Sequence, residues 1–208
     1  MTKKQITVRV IVETAILTAV AFILDYLQGI ICDLIPLWPN GGSVGIAMVP
    51  IMILAIRRGA IPGMLGGMIL GLIDMIDGVW ISPVAGDSLF LDFLCILLDY
   101  ILGWTLVGLT GLFSSKVKQA KDTKSLTTWS IIAILTGGLA RLFILFLSGA
   151  ILWEKGTEIL GITVDLPWAL YSLLYNGSYI IPSIILCAAV IIPIITTKAK
   201  FVILPENN

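Results

Sequence analysis

Between Leu91 and Phe113 the chain reads LDFLCILLDYILGWTLVGLTGLF, long and apolar enough to cross a bilayer. Yet it carries a carboxylate, Asp99, roughly 13 Å in from its first end. A charge at that depth is costly and needs a partner. Two readings are open. Asp99 forms a structural ion pair with Arg141, the only basic residue well inside another apolar segment, or it is the counter-charge of a cationic ligand in a water-lined cavity. The two are compatible if Arg141 neutralises the site only in part. Asp92 lies one heptad earlier on nearly the same helix face, which would put it at the mouth above Asp99.

The rest of the chain is as apolar as this stretch. With 58% hydrophobic and 12% charged residues, it is a polytopic membrane protein rather than an ordinary soluble domain. In lipid only helices and closed barrels satisfy their own backbone groups. The apolar runs are continuous rather than alternating, which selects helices. Net charge is zero, which argues against a nucleic-acid partner. There is no histidine, hence no imidazole base, proton relay or metal ligand. Cys32, Cys95 and Cys187 are widely spaced and match no zinc or redox pattern. No metal and no cofactor are expected. No phosphate-binding G-x-x-x-x-G-K-[ST] loop occurs, so energy for any active transport must come from a partner or an ion gradient.

The pattern gives an all-α polytopic fold, one integral membrane domain over 1–208, with transmembrane helices near 7–30, 44–57, 59–76, 90–114, 128–153 and 168–196. Ala19-Val20-Ala21 resembles a signal-cleavage site, but the apolar run continues past it, so the first helix is read as uncleaved. On that helix Ala15 and Ala19 sit one turn apart, a spacing that lets another backbone approach. Gly59, Gly63, Gly67 and Gly71 form a ladder on one face of the third helix and predict close helix crossing. Breakers in Asp33–Ser43 and Gly78–Ser88 predict loops. Tyr171, Tyr175, Asn176 and Tyr179 give the last helix a polar face.

Six spans alternate the loops between two sides. Every basic residue except Arg141 and Lys155 falls on the side of the amino terminus, including Arg57, Arg58, the Lys116–Lys124 loop, Lys198 and Lys200. By the positive-inside rule both termini are cytoplasmic. Asp33, Asp77, Asp87, Glu154, Glu158 and Asp165 collect on the other side with Trp38, Trp80, Trp153 and Trp168. Aromatics, an acid and polar groups thus converge at the outer ends of the last three helices, as in a small-molecule pocket. Each aromatic face there adds about 0.5–2 kcal/mol for an organic cation, and an amide such as Asn176 can donate to and accept from a heterocycle edge.

Several stretches resemble the substrate-binding S components of energy-coupling factor (ECF) vitamin transporters, of the thiamine-binding type. They are WPNGGS (Trp38–Ser43), Arg57-Arg58-Gly59, LLDY (Leu97–Tyr100), the R-x6-SG-x3-W run from Arg141 to Trp153, and YNGSY (Tyr175–Tyr179). They span almost the whole chain in order. The resemblance implies a six-helix S-component bundle in the cell membrane, a vitamin site near the outer face and no enzymatic activity. As partners it implies a transmembrane coupling subunit, docked through a small-residue patch that falls on Ala15 and Ala19, and two ATPases. It also implies a role for individual residues: Asp99 facing a thiazolium ring, Tyr100 beside it, Arg141 as the basic residue, Trp153 stacking, and Tyr171 and Asn176 orienting the ligand. Trp38 and Trp80 fall on further aromatic positions.

Two departures from the family stand out. Asp99 replaces a glutamate, shortening the carboxylate by about one methylene, and Leu145 replaces a histidine. Loss of a polar ligand contact alters affinity or specificity. The ligand is therefore thiamine, a relative or precursor, or another flat cationic heterocycle. A stand-alone ion-coupled transporter using Asp99 and Arg141 is the alternative. An intramembrane enzyme fits poorly, since Asp92 and Asp99 lie about 10 Å apart along one helix and no G-x-G-D or H-E-x-x-H pattern is present.

Overall fold

The computed structural model describes residues 3–34, 37–38, 41–79, 81, 88–153 and 156–197. Trp80, Asp87, Glu154, Lys155, Lys198 and Lys200, on which parts of the sequence reading rest, lie outside the described residues, as do Pro39 and Asn40 of the WPNGGS stretch.

Six helices make up the described bundle: α1 (Lys3–Asp33), α2 (Met48–Arg58), α3 (Ala60–Asp74), α4 (Leu89–Lys118), α5 (Thr123–Ile151) and α6 (Trp168–Thr197). Four of them, α1, α4, α5 and α6, are long and apolar enough to cross a membrane by themselves. At 11 residues, α2 falls short of the ~20 needed to span. It is apolar all round and buried from Met48 to Ile56, as a central helix should be. A single residue, Gly59, joins α2 to α3, and its φ of 94° is the left-handed region that glycine enters without strain. Gly59 therefore makes the turn, and although its own Cβ position is open, Gly111 of α4 packs against its backbone.

The other three rungs do pack. A Cβ on Gly67 or Gly71 would collide with the α4 backbone at Trp104 or at Tyr100, and one on Gly63 would collide with Ala55 of α2 while crowding the Gly108 backbone. Gly108 and Gly111 return the approach, against Gly63–Met64 and Gly59–Ala60. Backbone lies on backbone where α3 crosses α4, as small residues permit.

The ideal helix expected for α4 is not what the chain forms. Ile96–Leu102 winds in wide π turns, and Leu106–Phe113 in tight 3-10 turns. The hydroxyls of Thr105 and Thr110 donate back to the carbonyls of Ile101 and Val107 at 2.6 and 2.8 Å. Such bonds satisfy carbonyls that irregular turns leave free. The wide turns also break the 3.6-residue period that put Asp92 above Asp99.

At one end of the bundle, Glu13 of α1 accepts from Arg57 and Arg58 of α2 at 3.1 and 2.7 Å, and Arg9 approaches it at 3.6 Å. Lys118 donates to the Arg57 carbonyl at 2.9 Å, and Ser114 to that of Ile56 at 2.6 Å. The basic residues of α1, α2 and α4 thus share one end, and the α2 carboxyl end is capped by α4. At the other end, Glu158–Ile159 and Ile162–Thr163 form a hairpin between α5 and α6. Its turn residues, Leu160 and Gly161, both have positive φ, as a two-residue hairpin turn requires.

Candidate functional site

Toward the hairpin end, a cavity of about 240 Å³ opens among α1, α3, α4, α5, α6 and the Gly41–Ser43 segment. Asp99 enters it from the π turns of α4. Its Oδ2 accepts from the Trp153 indole at 2.8 Å and from the Cys95 thiol at 3.3 Å. Trp153 follows the end of α5, and its carbonyl accepts from Trp168 Nε1 at 2.7 Å. The indole that caps Asp99 is therefore held at both ends of its residue.

Three tyrosines line the α6 wall, four residues apart on one helix face. Tyr171 and Tyr175 stack with centroids 5.8 Å apart, and Tyr175 meets Tyr179 edge-on at 6.2 Å. Their hydroxyls are tied to three different places. Tyr171 donates to the Glu158 carbonyl in the hairpin at 3.0 Å, Tyr175 to the Gly41 carbonyl at 2.9 Å, and Tyr179 to Asn176 Oδ1. Asn176 in turn donates to the carbonyls of Leu145 and Ser172 at 3.3 and 3.0 Å. Both amide hydrogens are thus committed, and one Oδ1 lone pair remains for a ligand. Gly42, at φ 122°, presses so close to the Tyr179 ring that a Cβ there would overlap it.

The floor is built from residues far apart in sequence. Trp104 of α4 is 2% exposed and donates to Asp74 Oδ2 at 3.1 Å. The Arg141 guanidinium lies 3.5 Å over the Trp104 ring, a cation–π contact. The Nε and Nη1 of Arg141 are buried and have no hydrogen-bond partner among the described residues. The acids whose charge acts on Arg141 are Asp25 and Asp74. Asp25 also accepts from Gln28 at 3.0 Å, and the same amide reaches Ser43 at 2.9 Å.

Of the residues singled out from sequence, Asp99, Tyr100, Arg141, Trp153, Tyr171 and Asn176 all line this cavity, and so does Leu145. Trp38 stands behind it: its indole donates to Ser178 at 2.7 Å and its ring meets Tyr179 edge-on at 6.2 Å. Trp80 lies outside the described residues. Asp92 is not among the described residues of the lining. Asp99 and Arg141 form no ion pair, so of the two readings the purely structural pair is the one without support. Asp25, Asp74 and Trp104 also line the cavity, and the sequence reading assigns none of them to a site. A second acid inside the first apolar run, Asp25, was the available signal. Ala15 and Ala19 are not in the cavity lining; they lie on an exposed α1 face with Ile11, Ile16 and Ile23.

The family model described as Thiamine transporter protein (Thia_YuaJ) matches residues 11–203. The chain belongs to this thiamine transporter family. The family is one of transporters, not of enzymes, and with four helices able to span by length it makes this a multi-pass protein of the cell membrane. Two relatives named thiamine transporter ThiT are similar along nearly their full length. That of Bacillus subtilis (strain 168) is 33% identical, covering 91% of this chain and 92% of the relative. That of Lacticaseibacillus paracasei is 30% identical, covering 96% and 92%. The solved structure of ThiT from Listeria monocytogenes superposes with a TM-score of 0.73 at 23% identity over 93% of this chain and 97% of that one, a shared fold.

Proposed function

We propose that this chain is the membrane-embedded substrate-binding subunit of an ECF-type importer, and that it captures thiamine or a closely related cationic heterocycle in the cavity around Asp99. The observation that carries the reading is the state of Asp99. Its carboxylate is held by an indole and a thiol but has no cationic partner among the described residues. A buried carboxylate of that kind is completed by a ligand cation. Trp153 and the tyrosines supply flat faces for the ring that bears the charge.

Recognition then follows from position. The thiazolium would lie against Asp99 and Trp153, with Tyr100 beside it, and the aminopyrimidine would extend toward Arg141, Leu145 and Asn176. Closure over the ligand would fall to the hairpin tied to Tyr171 and to the Gly41–Ser43 segment tied to Tyr175. Trp38 braces that segment from behind. The basic end of the bundle faces the cytoplasm with both termini. The exposed Ala15/Ala19 face of α1 docks a transmembrane coupling subunit, and two ATPases supply energy.

The test is a thermal-shift panel of vitamins on the purified protein. Thiamine should raise the midpoint in a concentration-dependent way, since a ligand that binds only the folded state stabilises it by mass action. Stabilisation by an uncharged vitamin and none by thiamine would refute the reading.

A further inference from the structure

We propose that Asp74 is a positioning residue for ligand recognition: it holds the Trp104 indole as a plate against Arg141, so that the guanidinium presents its N–H groups to a neutral acceptor atom of the ligand. This rests on the functional reading above, which already gives Arg141 to the ligand, and adds Asp74 and Trp104, which lie outside that contact set.

The geometry begins with α3. Gly67 and Gly71 lock α3 onto the α4 backbone at Trp104 and Tyr100, and Asp74 follows less than one turn later. Its register against Trp104 is therefore fixed by backbone contact, and its Oδ2 takes the indole N–H at 3.1 Å. A buried indole without that acceptor would leave its only polar group unpaired. With it, the ring has one orientation, and the Arg141 guanidinium stacks 3.5 Å from its centroid. Stacking uses the face of the guanidinium and leaves its edge free. The edge is what remains unexplained in the structure, because Nε and Nη1 are buried without a partner among the described residues. Buried donors are almost always satisfied, and Arg141 lines the cavity. A ligand acceptor is the natural completion.

The two acids decide what kind of acceptor. Asp25 and Asp74 both act on the Arg141 charge without occupying those N–H groups. Arg141 is thus compensated in charge and unsatisfied in hydrogen bonds. A phosphate or carboxylate arriving there would meet the hydrogen-bonded acid pair of Asp25 and Asp74, whose negative charge repels it, whereas an uncharged ring nitrogen meets only donors. The Arg141 end therefore selects a neutral heterocycle such as an aminopyrimidine.

The experiment is calorimetry in detergent with two probes: thiamine, and an analogue in which a benzene ring replaces the aminopyrimidine while the thiazolium is kept. Wild type should prefer thiamine by about ten- to a hundredfold, the worth of a hydrogen bond to a charged group. Asp74→Leu should bring the two affinities within about threefold, through loss of thiamine binding alone. Asp74→Asn, whose amide oxygen still accepts the indole N–H, should restore the preference. Should Asp74→Leu fail to fold, Trp104→Phe removes the same N–H and should also collapse the ratio. A preserved ratio in the folded Leu or Phe variant, or an equal loss of both probes, overturns the inference. Collapse in Asp74→Asn as well as Asp74→Leu would assign the effect to charge and overturn the positioning route. Failure of wild type to bind thiamine overturns the functional reading and this inference with it.

Discussion

Replacing Asp99 by asparagine removes one charge and almost nothing else. The side chain keeps its size and an acceptor oxygen for the Trp153 indole, now 2.8 Å away, so the rim of the cavity should hold its shape. The Trp153 indole and the Cys95 thiol both bond the same oxygen, Oδ2, which Asn can supply as its amide oxygen. A ligand cation about 4 Å from the carboxylate gains about 4 kcal/mol at the effective dielectric typical of protein sites. That agrees with the about 3–5 kcal/mol lost when one member of a buried charge pair is deleted. Asp99→Asn should therefore weaken thiamine binding by about two to four orders of magnitude. An uncharged analogue with thiophene in place of thiazolium should bind wild type weakly and lose less than about tenfold more in the variant. Calorimetry of both ligands on both proteins reads this directly, with unchanged thermal melting as the control for folding. Equal affinity of thiamine for wild type and Asp99→Asn would refute the argument and return Asp99 to a structural role.

Other consequences are open to simpler assays. Leu145 lines the cavity at 8% exposure, and Leu145→His should tighten thiamine binding measured by calorimetry; unchanged or weaker binding would point to a different heterocycle as ligand. Ala15→Trp and Ala19→Trp should abolish uptake in cells while leaving binding by the purified protein intact, because both residues lie on the exposed face of α1; surviving uptake in both would place the docking face elsewhere. An impermeant thiol reagent added to intact cells should leave Gln119→Cys unlabelled, because Gln119 is exposed at the basic end of the bundle; labelling from outside would invert the topology.

Much of the architecture was legible because membrane helices announce themselves as continuous apolar runs. The residues of the site were legible where polar groups interrupt such runs at depth, as Asp99 and Arg141 do, and where polar and aromatic residues recur at helical spacing, as from Tyr171 to Tyr179. What escaped depends on contacts across the fold. The partnership of Asp74 with Trp104 is set by where α3 crosses α4, and that crossing is fixed by glycines whose partners cannot be named from spacing. The π turns of α4 carry no local signature, and they break the 3.6-residue period on which the placement of Asp92 over Asp99 rests. Asp25 carries no sequence pattern of its own beyond being an acid in the first apolar run, because its place in the cavity depends on helices that meet α1 only in the fold. Arg141 was seen as the obvious mate for Asp99. The structure instead stacks it on Trp104, near two other acids.

The most direct test of the account is the position of the bound ligand. A structure of the protein solved with thiamine should show the thiazolium within about 4–5 Å of the Asp99 carboxylate, a distance at which opposite charges favour each other's ionised form. Its ring should lie against Trp153, and the pyrimidine should point toward Arg141. Thiamine bound elsewhere, or turned so that the pyrimidine meets Asp99 and the thiazolium meets Arg141, would contradict it.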